Sequence, residues 1–211
     1  MIHTKFSFFR FSYSVACFFS LLILPGFANS LRAQDAYSEG AEAMKEGDYR
    51  HAENIFRQGL RRTPNDYTLM QLLAHSVMNQ RRYREADSLL FEIVRADSNQ
   101  VGSYWYLGLS LEKQRKDSAA LLQYKTYIRK AGQQNNPNSG AWLRAGSCYR
   151  RMLHDKGLNG NELDDMISLY NRYLQMNPTD PMGLQLSRFM EDVQQRRPAN
   201  YAVRWVWNER D

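Results

Sequence analysis

The sequence predicts an all-α fold, a solenoid of about four helix hairpins closed by a C-terminal capping helix, and three observations predict it. A pattern of small and large apolar residues returns every 34 positions, turn residues punctuate the returns, and only Tyr201 to Trp207 alternates like a strand. Hydrophobic residues at 43% and charged residues at 24% are globular values, and 13% aromatics is too many for a disordered chain, so collagen, mucin and polytopic membrane classes are excluded.

Residues 1–34 stand apart and contain no Asp or Glu. Lys5 and Arg10 precede a mostly apolar run from Phe11 to Leu24, Pro25-Gly26 breaks any helix, and the small residues Ala28-Asn29-Ser30 and Ala33 follow. Basic, apolar and small-residue regions in that order read as a secretory signal peptide. Export is therefore expected, to the periplasm or else to the medium or the outer membrane, with cleavage at 30/31, 33/34 or 34/35 left open. A membrane span fits poorly, because Ser12, Ser14 and Ser20 interrupt the run and Pro25 stops it short of the roughly 20 residues required. Cys17 lies in mid-run behind Ser14-Val15-Ala16, a poor lipidation site. About 177 residues remain, enough for one core, and Cys148 is then the only cysteine, so packing and not a disulfide must stabilise the fold. Removing Lys5, Arg10 and Arg32 leaves 25 basic against 22 acidic residues, a charge of +3 that argues for no nucleic acid.

The repeat runs without a gap through three units, 35–134 of the mature chain. From Ala33 to Asp66 it is marked by Gly40, Gly47-Asp48-Tyr49, Ala52, Phe56, Gly59 and Pro64; residues 67–100 repeat the spacing with Leu73, Ala74, Tyr83, Ala86 and Leu90, and 101–134 with Tyr104, Leu107, Gly108, Ala120 and Tyr124. A fourth unit, 135–178, follows Asn135-Asn136-Pro137-Asn138 and opens with Trp142, Ala145, Gly146 and Tyr149. It closes with Tyr170, Tyr173 and Asn177-Pro178, eight residues late, and Gly157, Asn159 and Gly160 place the excess in a loop inserted at 153–160.

Over about 146 residues, Ala33 to Pro178, this spacing resembles the tetratricopeptide repeat family. Small residues at positions 8 and 20 (Gly40 with Ala52, Ala74 with Ala86, Gly108 with Ala120) let two helices approach closely, and large residues beside them fill the gap. The resemblance implies a right-handed solenoid in which each hairpin covers its neighbour. The chain departs from the family pattern with Ala36 and Ala43 in unit 1, Met70 and Val77 in unit 2, Asp97-Ser98-Asn99 without a proline, and Gly132. A capping helix, 179–198, is expected to start at Asp180-Pro181 and to bury Leu184, Leu186, Phe189, Met190 and Val193. In the tail, 199–211, Tyr201, Val203, Trp205 and Trp207 fall on one side of a strand that docks on a partner's sheet or groove, folds back on the capping helix, or stays disordered.

No His or Cys pair has metal-ligand spacing, and no phosphate loop or nucleophile elbow is present, so neither metal, cofactor nor catalysis is expected. Cys148 near His154 reads as a buried structural cysteine, and Asp164-Asp165 as favourable charges in a helix's first turn. The family resemblance places binding on the concave face of the first helices, at positions 2, 5, 9, 12 and 13. Positions 5 and 9 hold Tyr37, Ala41, Gln71, His75, Trp105, Leu109, Leu143 and Ser147, which lack the basic and amide clamp of chaperone-tail binders. What stands there instead is a stripe of Tyr37, Met44, Met78, Trp105, Leu109 and Leu143 with Gln71 and His75 among it and Lys45, Lys113, Arg150 and Arg151 along one edge. Such a stripe suits a peptide segment of a partner protein, unless neighbouring helices cover it. The expected function is a non-catalytic interaction module or scaffold of the cell envelope that takes protein, and no nucleic acid or small molecule, meeting membranes only through partners; the alternative is a fixed subunit of an envelope or secretion assembly.

Overall fold

The computed structural model describes residues 25–134 and 138–207, with side chains from residue 35 onward. Among the described residues are nine helices: α1 (Pro25–Lys45), α2 (Tyr49–Arg62), α3 (Tyr67–Asn79), α4 (Tyr83–Ala96), α5 (Val101–Lys113), α6 (Asp117–Gln133), α7 (Gly140–Lys156), α8 (Gly160–Met176) and α9 (Gly183–Arg196). Each helix packs against the next, and α3 also touches α5, which gives an all-α helical repeat with the first helices of the hairpins on a common face. The first 24 residues of the expected leader lie outside the described ones. Pro25 opens α1 instead of breaking a helix, because the first helical position has no use for the missing N–H. The three expected cleavage points therefore fall within helical backbone.

Side-chain caps fix several starts. Asp48 accepts from the His51 N–H at the head of α2, Asp66 from Thr68 and Leu69 at the head of α3, and Asn159 forms a capping box with Glu162 at the head of α8. The turns inside the first three hairpins share one backbone state, with positive φ at Gly47 (79°), Arg81 (63°) and Arg115 (60°). These residues stand 34 positions apart, and only the first is a residue that enters the left-handed region freely.

Helix spacing inside the first, third and fourth hairpins is set by one close approach of a glycine to a ring; the second has Ala74 there. A Cβ added at Gly108 would lie 2.5 Å from the Tyr124 ring, and Gly40 against Phe56 and Gly146 against Tyr170 repeat the arrangement. The eight surplus residues of unit 4 correct the expected loop. Residues 153–156 are the last turn of α7, only 157–159 connect, and Gly160 already begins α8. Both helices grow by about one turn because Leu153, Leu158 and Leu163 all find buried positions.

α9 begins at Gly183, later than expected, because the Asp180 carboxylate takes the Tyr173 hydroxyl and the Met182 N–H and closes a turn ahead of the helix. It buries Leu186, Phe189, Met190 and Val193, while Leu184 is exposed. Its opposite face carries Leu184, Glu191 and Gln194, all exposed.

Of the three fates open to the tail, folding back is the one found, onto the hairpin tip of unit 4 as well as the capping helix. Leu158 and Trp205 exchange both backbone hydrogen bonds (3.0 and 2.9 Å), the Gly160 N–H donates to the Tyr201 carbonyl (2.9 Å), and the Trp207 N–H donates to the Leu153 carbonyl (3.3 Å). The lengthened hairpin tip thus supplies the backbone partners that an all-helical stack otherwise lacks. Trp207 is buried against Phe189 (ring centroids 5.6 Å apart) and Trp205 (5.3 Å), whereas Tyr201 and Val203 remain exposed, so the four residues do not share one buried side.

Five outcomes follow from this packing. Gly108→Leu should cost more than the usual overpacking penalty of about 1–3 kcal/mol, Lys116→Leu under about 0.5 kcal/mol, and Arg81→Gly should gain about 0.5–1 kcal/mol by relieving the left-handed turn, all read from urea midpoints. Trp207→Ala should lose about 3 kcal/mol, and deletion of 200–211 at least as much; an unchanged midpoint in either would detach the tail from the core.

Candidate functional site

Helical geometry brings the residues expected to bind onto α1, α3, α5 and α7, and neighbouring groups then decide which remain available. Tyr37 is half-buried and donates its hydroxyl to the Asp66 carboxylate (2.5 Å), the same group that caps α3. Burial and that carboxylate push its phenol far above the ordinary value. Met44 packs half-buried on the core of the first two units, and Lys45 is exposed, bonded to Glu42 (2.8 Å). Gln71 donates to the Ser103 hydroxyl (3.0 Å), tying α3 to α5. His75 lies against the Tyr106 ring (5.0 Å between centroids), and burial lowers its pKa, so it is neutral at pH 7.

Trp105 is half-buried and backed by Tyr124 and Tyr127 (5.7 Å to each ring), with the Arg144 guanidinium 5.7 Å over its ring. Leu109 and Leu143 flank it, both half-buried. Trp105, Leu109 and Leu143 form an apolar strip on α5 and α7, with Gln71 and His75 of α3 beside it and two rings behind Trp105.

Other candidates belong to the stack itself. Met78 is core, only 6% exposed. Arg150 lies 4.4 Å over the Phe189 ring of α9, and Arg151 is held by Asp117 (2.7 Å) and Glu112 (3.4 Å). The expected basic edge is thus reduced to Lys45 and Lys113, the two that stay exposed. For Arg151 the cause is a buried acid, since Asp117 is 6% exposed and draws it inward.

Tyr106 and Arg144 were not singled out by sequence, although both face the strip. They sit at repeat position 6, one residue beyond a position counted as facing the groove, and a helix face is wide enough to include both. Arg144 also bonds Glu112 (3.0 Å), which accepts the Tyr124 hydroxyl (2.6 Å). The Cys148 thiol is wholly buried and pushed up to about 12 by burial, while His154 faces the Trp207 carbonyl (3.2 Å), so the two make no nucleophile pair. Among the described residues no three His, Cys, Asp or Glu side chains are placed to hold a metal ion, and no helix is long and apolar enough to cross a membrane.

Residues 43–108 match the tetratricopeptide repeat family. The repeat architecture extends beyond that segment in solved structures of similar shape. The crystal structure of MamA protein superposes with a TM-score of 0.62 at 18% identity, covering 79% of this chain and 84% of that one. YrrB, described as a tetratricopeptide repeat protein with an unusual peptide-binding site, gives 0.56 at 16% identity, covering 74% of each chain. The first repeat domain of Spaghetti, bound to the Hsp90 peptide SRMEEVD, gives 0.52 at 17% identity, covering 58% of this chain and 94% of that one. At these identities the likeness establishes the fold. No curated protein matches.

The half-buried imidazole makes stability depend on pH. Because its folded pKa lies below the unfolded value of about 6.5, the His75 contribution is complete above that value and is lost as pH falls through the folded one. The urea midpoint should therefore drop between pH 7.5 and 5, and His75→Phe should shrink that part of the drop.

Proposed function

We propose that this chain is an exported, non-catalytic interaction module of the cell envelope that holds a peptide segment of a partner protein along α3, α5 and α7. The observation that carries the reading is the strip of Trp105, Tyr106, Leu109 and Leu143, half-exposed at its front and packed on Tyr124 and Tyr127 at its back. A rigid aromatic surface loses little side-chain entropy on binding and gains area, which is what an interaction hot spot requires. Peptides bound by similar folds, such as SRMEEVD on Spaghetti, support a peptide as occupant. The clamp positions here hold Gln71, His75, Trp105 and Leu109, which favour apolar and amide contacts over capture of a terminal carboxylate. Export rests on the composition of residues 1–34.

A second reading, a fixed subunit of an envelope assembly, is favoured by the C-terminal end. Five of the seven exposed large apolar side chains among the described residues lie there: Met182, Leu184, Tyr201, Val203 and Val206. A permanent partner would cover such a surface.

A photo-crosslinking side chain at Leu109 should capture the partner in cells, while one at exposed Gln58 on α2 should not. Trp105→Ala should then weaken binding of the captured segment by roughly 2 kcal/mol or more with helicity kept. Equal capture from both faces, or full binding by Trp105→Ala, would move the site off this face.

A further inference from the structure

The buried apolar core is not continuous. One cluster runs from Ala36 to Leu107, a second from Leu111 to Trp207, and Leu109 is the residue packed on both. The division falls inside α5, between Leu107, which crosses the seam between units 2 and 3 to join the first cluster, and Leu111, which joins the second, and the repeat itself supplies controls for that seam. Across the seam between units 1 and 2, buried Glu53 receives Gln80 (2.7 Å) and Arg82 (2.6 Å), and Arg57, bonded to Glu53 on its own helix (2.9 Å), reaches over to Glu85 (2.5 Å). Burial alone would raise the Glu53 pKa, yet these donors hold it below the ordinary carboxylate value. Across the seam between units 3 and 4, Lys125 bonds Asp165 (2.6 Å), Arg151 bonds Asp117 (2.7 Å) and Arg144 bonds Glu112 (3.0 Å).

The middle seam carries no ion pair within 4 Å among the described residues, and Lys130 acts on Asp97 across it only at longer range. Phe91 stands 34 positions from both Arg57 and Lys125, and Ala119 stands 34 from Glu85; both are exposed. Asp87, the counterpart of Glu53, keeps only Gln114 (2.8 Å), because Lys116 replaces Arg82 and turns to the Gln114 carbonyl. The other Asp87 oxygen, Oδ1, is buried with no partner. At the position where Leu69 and Ala141 serve the other seams, this one buries Ser103.

We infer that the seam between units 2 and 3 is an articulation at which units 1–2 and units 3–4 with α9 and the tail move as two bodies. A seam that forfeits ionic ties, part of its apolar contact and one carboxylate bond opens at lower cost than the seams on either side. His75 and Tyr106, and Gln71 and Ser103, face each other across it, so its angle sets the width of the strip there. Regulation of peptide binding by that angle rests on the proposed function, whereas the articulation itself does not.

The test is a distance distribution between spin labels on cysteines placed at exposed Gln58 (α2) and Gln175 (α8), with Gln58 and Glu92 as a pair inside one body and Cys17→Ser throughout; buried Cys148 stays unlabelled. The pair across the seam should give a distribution about twice as wide as the inner pair. Phe91→Arg with Ala119→Glu, which copies the Arg57–Glu85 tie at two exposed positions, should narrow it to the inner width without loss of helicity. Equal widths in the parent chain, or a width the double substitution leaves unchanged, would overturn the articulation whether or not the strip binds a peptide.

Discussion

The closeness of two helices at Gly108 and Tyr124, repeated at Gly40 with Phe56 and at Gly146 with Tyr170, is the constraint on which the rest depends. In these three hairpins an aromatic ring occupies the place where any side chain would project, so their helices settle at a separation that nothing bulkier tolerates. That separation leaves one side of each hairpin apolar and uncovered, and the neighbour must cover it. Tyr124 shows how far the consequence reaches. Its ring fills the gap above Gly108, its hydroxyl holds Glu112, and its face supports Trp105, so the packing element of one hairpin is also the rear wall of the proposed binding strip.

Most of this was legible because packing leaves a periodic trace. Positions 8, 20 and 24 must be small, small and large in unit after unit, and the turns follow from the same count. The tail was not legible, because its fate depends on backbone partners, and a periodic pattern of side chains does not reveal where free N–H and C=O groups lie. Gly157 to Gly160 read as loop residues in sequence, yet Leu153, Leu158 and Leu163 are buried, and their burial lengthens the helices around a short connection that pairs with Trp205. Once that edge existed, the hydrogen bonds tipped a near-even balance between chain entropy and apolar burial toward docking.

The candidate site was legible in part for the same reason. Helical spacing located the face, so Trp105, Leu109 and Leu143 fall together as expected. Spacing does not say which charges are already engaged. Lys113 and Arg151 occupy comparable places on successive first helices, but one reaches solvent and the other turns inward.

Buried acids decide between those two outcomes. An acid at 6% exposure, as at Asp117, is costly without a cation and strongly favourable with one, so the arginine within reach is drawn inward and leaves the surface. Glu53 commits Arg57 and Arg82 in the same way, and Glu112 commits Arg144. Where the acid is present but its cations are replaced, as at Asp87, the debt stays with the seam instead of with a side chain. The distribution of arginines over this solenoid therefore reports the stability of its seams first, and the cations left for a partner are those, such as Lys113, that no buried carboxylate can reach.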